Sequence, residues 1–165
     1  MKTLKENNKI VYHKNDPDEA DVRRILIVED NEDIRQYLTE ELRGLFEVCE
    51  AANGEEAWKL LNEQEVDVVI TDVMMPVMDG VKLTKLIKRN IRTCHIFVLM
   101  LTAKTEIEHQ LEGLQIGADD YIPKPFVMGI LILKMQNFIR ARYRILDHYA
   151  KSLEVDPHKM TFNAL

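Results

Sequence analysis

The chain has 165 residues, of which 46% are hydrophobic and 30% charged, so it can bury the core of one ordinary domain and does not have a disordered composition. Lysine and arginine total 22 against 28 acidic residues, which gives a net charge of −6. An acidic domain of this kind is a poor candidate for holding a nucleic-acid backbone by charge, so direct binding to nucleic acid is disfavoured.

Neither a signal peptide nor a membrane-spanning segment is predicted. The N-terminus has no apolar core region, and the sequence has no run of about 18 apolar residues. The two cysteines, Cys49 and Cys94, lie in unrelated contexts and form neither a disulfide framework nor a zinc-ligand spacing. We therefore expect this segment to lie in the cytoplasm without contacting a membrane.

Hydrophobic periodicity divides the chain into three parts. Residues 1–22 are polar and follow no strand or helix period, so we predict a linker or arm there. Residues 23–142 contain five apolar runs typical of buried strands, at 25–28, 46–48, 66–70, 95–101 and 119–122. Each run is followed by helical spacing, starting near Asn31, near Asn53, after Asp79, around 107–114 and near Phe126. Residues 143–165 are predicted to be a helix extension and an outgoing linker.

Short buried strands that alternate with amphipathic helices predict an α/β fold, with a parallel sheet covered by helices on both faces. In such a sheet, ligands bind beyond the carboxyl ends of the strands. Five charged or hydroxyl residues are predicted at those ends: Glu29, Asp30, Asp72, Thr102 and Lys124.

Three carboxylates at one edge of a sheet need a compensating charge. At about 4 Å and an effective dielectric of 20, each pair repels by about 4 kcal/mol, so the cluster requires a cation or raised pKa values. Oxygen ligands favour Mg²⁺ over Zn²⁺. Since the sequence has no glycine-rich phosphate loop, we expect no bound nucleotide. An aspartate beside a metal, a hydroxyl and a lysine is suited to taking a phosphoryl group onto a carboxylate.

Five motifs extend this pattern: ILIVEDN at 25–31, VITDVMMPVMDG at 69–80, LTAK at 101–104, GADDY at 117–121 and KPF at 124–126. Asp72 and Thr102 are 30 residues apart, and Thr102 and Lys124 are 22 apart. In these motifs and spacings, residues 24–142 resemble the receiver domain of bacterial two-component response regulators. The resemblance implies a flavodoxin-like (βα)5 doubly wound parallel sheet with strand order 2-1-3-4-5.

The same resemblance implies a role for each site residue. Asp72 would be the phosphoacceptor, and Lys124 would pair with the phosphoryl oxygens. Thr102, helped by the backbone amide of Ala103, would bind the phosphoryl group, and Tyr121 would be the aromatic switch residue. Direct Mg²⁺ ligands would be Asp30, Asp72 and the backbone carbonyl of Met74, while Glu29 would act through water. A cis peptide bond is expected between Lys124 and Pro125.

The implied function is a phosphorylation-controlled signalling domain that receives its phosphoryl group from a histidine kinase, in cis or in trans. Such a domain catalyses its own phosphorylation and is not an enzyme in the ordinary sense. Phosphorylation would switch the face formed by the fourth helix, fifth strand and fifth helix, and so control an output domain, with transcription as the expected target. DNA would be contacted only through that output domain.

Residues 149–165 resemble the stretch that follows the receiver in large hybrid sensor proteins ending in a DNA-binding domain. We therefore expect a longer parent protein that could combine histidine kinase and transcription regulator and could be anchored in a membrane. Two alternatives remain from the residues alone. One is a Mg²⁺-dependent phosphatase or phosphotransferase, although such families usually carry paired aspartates after the first strand. The other is a degenerate receiver that only mediates contacts.

The fifth predicted helix is unusually apolar. Its core-facing stripe is predicted to be Leu131, Met135, Phe138 and Ile139, with helical spacing. Three further apolar residues, Ile130, Ile132 and Leu133, are predicted to lie outside the core. They indicate either a homodimer surface together with the fourth helix and fifth strand, or a surface covered by residues 1–22 or by the tail.

Overall fold

The computed structural model of this chain describes residues 24–103 and 117–153. Five parallel strands form one sheet: β1 (Arg24–Val28), β2 (Glu47–Ala51), β3 (Val68–Asp72), β4 (Phe97–Ala103) and β5 (Asp120–Lys124). Their spatial order is β2-β1-β3-β4-β5. The predicted doubly wound α/β fold and its strand order are therefore confirmed.

The described helices are α1 (Glu32–Leu42), α2 (Gly54–Glu63), α3 (Gly80–Arg89) and a long C-terminal helix (Met128–Leu153). The side chains of Asn31, Asn53 and Asp79 cap the first three, each accepting hydrogen bonds from backbone amides of the first turn. The predicted helix around 107–114 lies outside the described residues, as do the predicted arm at 1–22 and the segment 154–165. Within the described ranges, no helix is both long and apolar enough to cross a membrane.

The sheet is buried on both faces because the side chains of each strand alternate between two apolar clusters. In β1, Ile25 and Ile27 pack against α1 and the C-terminal helix, while Leu26 and Val28 pack against α2 and α3. This explains why the central strands are continuous apolar runs in the sequence. With both faces covered by helices, the polar residues of the strands are displaced to the strand ends.

Four strands end later than predicted. β2 was expected at 46–48 and runs to Ala51, and β3 was expected at 66–70 and runs to Asp72. β4 was expected at 95–101 and runs to Ala103, and β5 was expected at 119–122 and runs to Lys124. The reason is pairing: Thr102 faces Pro123 and Ala103 faces Lys124 across the β4–β5 ladder. Thr102 and Lys124 are therefore held on strands, which fixes their backbones more firmly than loops would.

The C-terminal helix confirms most of the predicted stripe. Leu131, Met135 and Ile139 are buried, and Phe138 is half-buried with its ring 4.0 Å from the ring of Phe97. The prediction for Ile132 was wrong, since this side chain is 3% exposed and belongs to the core cluster. A helix lying flat on a sheet buries an arc wider than one a/d stripe, and Ile132 falls within that arc.

Candidate functional site

The predicted strand-end residues meet at one edge of the sheet. Glu29 and Asp30 follow β1, Asp72 ends β3, and Lys124 ends β5. The ammonium of Lys124 lies 3.0 Å from Oε2 of Glu29 and 3.2 Å from Oδ2 of Asp72. The side chain of Glu29 is almost fully buried, whereas the side chain of Asp72 is 14% exposed. One lysine thus bridges two carboxylates, and the outer one still reaches solvent.

The carboxylates of Glu29, Asp30 and Asp72 are close enough to share a cation, because one oxygen from each lies within 4.8 Å of the others. Both oxygens of Glu29 already accept hydrogen bonds, Oε1 from the amide of Asn31 and Oε2 from Lys124. Oδ1 of Asp72 accepts from the amide of Val73 at 2.8 Å. An all-oxygen set of this kind fits Mg²⁺, which keeps several of its own waters.

The charges of the cluster do not balance. Burial raises the pKa of Glu29, and the charge of Asp72 adds to this effect against the hydrogen bonds from Lys124 and Asn31. Burial also raises the pKa of Asp72, with a contribution from Asp30, and Lys124 offsets only part of it. Burial alone would lower the pKa of Lys124, but Glu29 and Asp72 together raise it. The site therefore holds surplus negative charge and favours a cation.

Thr102 lies between the two strands that carry Asp72 and Lys124. Asp72 pairs with Leu101 across the β3–β4 ladder, and Thr102 is the next residue of β4. Its side chain is fully buried. Met74 lies two residues after Asp72 in the loop between β3 and α3, with its side chain 57% exposed. The backbone of this loop therefore remains at the same edge as Asp72.

Tyr121 lies on β5 opposite Met100, and its ring packs partly against the cluster formed with α2 and α3. Its hydroxyl is buried and has no hydrogen-bond partner among the described residues. Burial raises the pKa of Tyr121 to about 12. The peptide bond between Lys124 and Pro125 is cis, as the sequence predicted.

The sequence interpretation missed three residues that hold this edge in place. A Cβ atom at Gly80 would overlap the carbonyl oxygen of Asp72, so only glycine lets α3 begin there. The hydroxyl of Thr71 donates to that carbonyl at 2.9 Å, and Arg35 donates to the carbonyl of Glu29 at 2.7 Å. Asp79-Gly80 was predicted only as the end of the loop that leads into the third helix. The signal was an Asp-Gly pair opening a helix soon after the candidate acceptor.

A family model for the response regulator receiver domain matches residues 25–136. The chain belongs to this family. It is a two-component signalling domain rather than an enzyme of the classical kind, and the phosphatase alternative is thereby set aside. The degenerate-receiver alternative depends on whether Asp72 is phosphorylated.

Several known proteins resemble this receiver domain. Histidine kinase P4 of Formosa agariphila is 34% identical over 147 residues, which cover 89% of this chain and 11% of that protein. The transcriptional regulatory protein SrrA of Staphylococcus aureus is 39% identical over 117 residues, covering 70% of this chain and 47% of SrrA. The chain thus spans about a tenth of one relative and about half of the other.

Solved structures agree with the fold. A putative response regulator from Chloroflexus aurantiacus has a TM-score of 0.68 and 37% identity, with 72% of this chain and 98% of that chain covered. The chemotaxis response regulator CheY4 of Vibrio cholerae has a TM-score of 0.65 and 34% identity, with 70% and 98% covered. Both likenesses extend over nearly the whole of the known structure, so the receiver fold is shown by comparison as well as by topology.

Proposed function

We propose that Asp72 accepts a phosphoryl group from the phosphohistidine of a histidine kinase. A carboxylate oxygen of Asp72 attacks phosphorus, the bond between phosphorus and the imidazole nitrogen breaks, and an acyl phosphate forms. The single observation that supports this role best is the bridge from Lys124 to Asp72 and Glu29 at the partly open sheet edge. It places a positive charge beside the oxygen that would carry the phosphoryl group.

The same proposal gives each neighbour a task. Asp30, Asp72 and the carbonyl of Met74 would hold Mg²⁺ directly, and Glu29, with both oxygens already in hydrogen bonds, would act through water. When bound, Mg²⁺ neutralises negative charge on the transferring group. Lys124, the hydroxyl of Thr102 and the amide of Ala103 then bind the remaining phosphoryl oxygens.

Acetyl phosphate can test phosphorylation without a kinase. With Mg²⁺ present, the intact mass of the chain should increase by one phosphoryl group, and EDTA should prevent the increase. The Asp72→Asn variant should gain no mass, while Asp33→Asn, which changes an exposed carboxylate on α1, should behave as wild type. Equal labelling of Asp72→Asn would overturn the assignment, whereas no labelling of wild type would leave the degenerate-receiver alternative as the better one.

Thr102 is expected to couple the site to the distant face. In this proposal, the hydroxyl moves towards the phosphoryl oxygens and leaves space into which the ring of Tyr121 can turn. Beryllium fluoride, which mimics the phosphoryl group, should shift NMR signals of β5 and the C-terminal helix in wild type. Thr102→Ala should still be phosphorylated, more slowly, but should lose these remote shifts, while Thr102→Ser should keep them. Identical remote shifts in Thr102→Ala would contradict the coupling.

We also place this domain, at residues 23–142, inside a longer cytoplasmic segment of a hybrid protein. Residues 1–22 would link it to what precedes, and 143–165 would lead to an output domain that controls transcription. The likeness to Histidine kinase P4 supports this, because the matched stretch is 147 residues long and so extends beyond the receiver domain matched at 25–136. A kinase in cis is thus the expected phosphodonor, and DNA would be bound by the output domain alone.

The C-terminal helix supports a phosphorylation-strengthened homodimer. Ile130 and Leu133 are 49% and 46% exposed, and Val127, three residues before Ile130, is 65% exposed. In sedimentation experiments, the weight-average mass should rise with concentration and more steeply with beryllium fluoride. Ile130→Asp combined with Leu133→Asp should abolish the rise, because a symmetric contact places each charge twice in the interface. Ile145→Asp, at an exposed position further along the helix, is the matched control. A monomer in all conditions would remove this part of the proposal.

A further inference from the structure

The loop between β3 and α3, residues 73–79, contains a strained turn at Val77. The backbone of Val77 has a φ of +68°, a left-handed conformation that a β-branched residue rarely adopts. The amide of Met78 donates to the carbonyl of Pro76 at 2.8 Å, which closes a γ-turn around Val77. With a positive φ at its centre, this is the rare and strained form of the γ-turn. Such strain persists only where the surrounding contacts fix the backbone.

The side chain of Val77 does not account for the strained backbone. It is 73% exposed, so it buries little apolar surface that could offset an unfavourable conformation. Two other residues of the loop, Met75 and Met78, instead pack against the apolar cluster formed with α2 and α3. The turn is therefore imposed by the path of the loop and not by the valine side chain.

Two backbone hydrogen bonds fix the path of this loop. The amide of Gly80 donates to the carbonyl of Val73 at 2.9 Å and closes the loop at its base. The amide of Gly54, the first residue of α2, donates to the carbonyl of Met78 at 3.0 Å. A Cβ atom at Gly54 would lie 2.7 Å from that carbonyl oxygen, so a side chain there would displace the backbone. The start of α2 thus holds the loop directly after the strained turn.

The loop, and not α2, would yield to a side chain at the start of α2. This helix is fixed by its cap, Asn53, which accepts hydrogen bonds from two amides of the first turn, and by its buried inner face. A displaced Met78 would carry Pro76 and Val77 with it, because proline fixes its own φ and the γ-turn bond joins Pro76 to Met78. The displacement would therefore reach Met74, two residues before Pro76.

We propose that Gly54 and Val77 are positioning residues, which hold the carbonyl of Met74 in place for Mg²⁺ before the metal binds. The inference rests on the proposed function, because that function makes this carbonyl a metal ligand. Mg²⁺ requires near-ideal octahedral geometry, whereas Ca²⁺ accepts longer and more variable bonds. A carbonyl that is fixed in advance therefore favours Mg²⁺ in particular, and it lowers the entropy cost of binding.

The substitution Gly54→Ala tests the contact with α2. Calorimetric titration of the chain 1–165 with Mg²⁺ alone should give a dissociation constant raised about tenfold or more, the usual loss when the support of a metal ligand is altered. The dissociation constant for Ca²⁺ should rise less than about threefold, because its geometry is more tolerant. The matched control is Gly44→Ala, whose Cβ meets no described atom within 4 Å, and it should bind both ions as wild type does. Loss of selectivity between the ions separates positioning from a general weakening of the fold.

A second variant, Val77→Gly, does not depend on the folding of Gly54→Ala. Glycine adopts a positive φ without strain, so the melting temperature without metal should rise by about 3 °C. Val77→Ala removes most of the same exposed side chain but keeps a Cβ, so its melting temperature should rise less. The Mg²⁺ affinity of Val77→Gly should fall about threefold, because the loop is less fixed before binding. Stability and affinity would then change in opposite directions, which a general weakening of the fold does not produce.

The outcomes separate this inference from the proposed function. Equal Mg²⁺ affinities of Gly54→Ala and Gly44→Ala, or equal losses for Mg²⁺ and Ca²⁺, would overturn the inference and leave Asp72 as a metal ligand. A Val77→Gly variant with the melting temperature and Mg²⁺ affinity of wild type would overturn it as well. If the proposed metal site itself is wrong, wild type should bind Mg²⁺ no better than Asp72→Asn, and the inference would fall with it.

Discussion

Replacing Lys124 with alanine should lower the free energy of unfolding by about 3 kcal/mol in metal-free buffer at about pH 8. The ammonium of Lys124 is the charged partner of the buried Glu29 and also contacts Asp72. Without it, the buried carboxylate of Glu29 keeps only the amide of Asn31 as a hydrogen-bond donor among the bonds described. An uncompensated buried charge is among the few causes of large destabilisation by a single substitution.

The loss of stability in Lys124→Ala should become smaller as the pH falls. Burial raises the pKa of both Glu29 and Asp72 above the ordinary values of 4.5 and 3.8. Such groups destabilise the folded state when ionised, so stability is gained as the pH falls through the raised values. The penalty of Lys124→Ala should therefore shrink as the pH falls through the raised pKa values of Glu29 and Asp72, because protonation removes the charges.

Urea unfolding over a series of pH values from about 8 downwards measures this effect. Lys134→Ala is the matched control, because Lys134 also forms a short ion pair, 2.7 Å from Asp120, but each side chain is 35% exposed. An ion pair of this exposure contributes less than about 1 kcal/mol. Equal losses in the two variants, or a Lys124→Ala penalty that does not change with pH, would contradict the electrostatic description of the site.

The effect of Asp72→Asn on the free energy of unfolding should change sign when Mg²⁺ is added. In metal-free buffer at about pH 8 the variant should be more stable than wild type by about 1 kcal/mol, since it removes one of the clustered like charges. The advantage should fade as the pH drops through the raised pKa of Asp72, where wild type becomes neutral at the same position. Saturating Mg²⁺ at 100 times its dissociation constant should then stabilise wild type by about 2.7 kcal/mol.

Thermal unfolding with and without Mg²⁺ measures the reversal. The metal should raise the melting temperature of wild type and of Asp33→Asn, but raise that of Asp72→Asn much less. Ca²⁺ at equal ionic strength is the control for screening. Both ions screen the charges of the site equally, but Mg²⁺ requires a tighter coordination geometry, so a difference between the two ions indicates specific binding. The same metal response in Asp72→Asn as in wild type would exclude Asp72 as a ligand.

The sequence predicted the fold and the meeting of the charged residues for one reason. Parallel strands end at the same edge, so Glu29, Asp72 and Lys124 had to converge once three apolar runs were recognised as strands. The helix starts near Asn31, near Asn53 and after Asp79 could be predicted because each depends only on the residues of one helical turn.

Features that depend on contacts distant in sequence were missed. The burial of Ile132 depends on how the C-terminal helix lies on the sheet, and the hydrophobic spacing within the helix does not predict this orientation. Gly80 is required by the approach of α3 to the carbonyl of Asp72, and the extension of β4 over Thr102 is required by its pairing with β5.

Chemical trapping can identify the phosphorylated residue in the chain. Borohydride reduces an acyl phosphate so that phosphate leaves and the carboxyl carbon becomes an alcohol, which converts a phosphorylated aspartate to homoserine. After treatment with acetyl phosphate and Mg²⁺, fragmentation of the peptide carrying Asp72 and Asp79 should place homoserine at position 72 alone, and EDTA should prevent its formation. Homoserine at position 30 or 79, or its absence from position 72 under labelling conditions, would contradict the proposal that Asp72 is the phosphoacceptor.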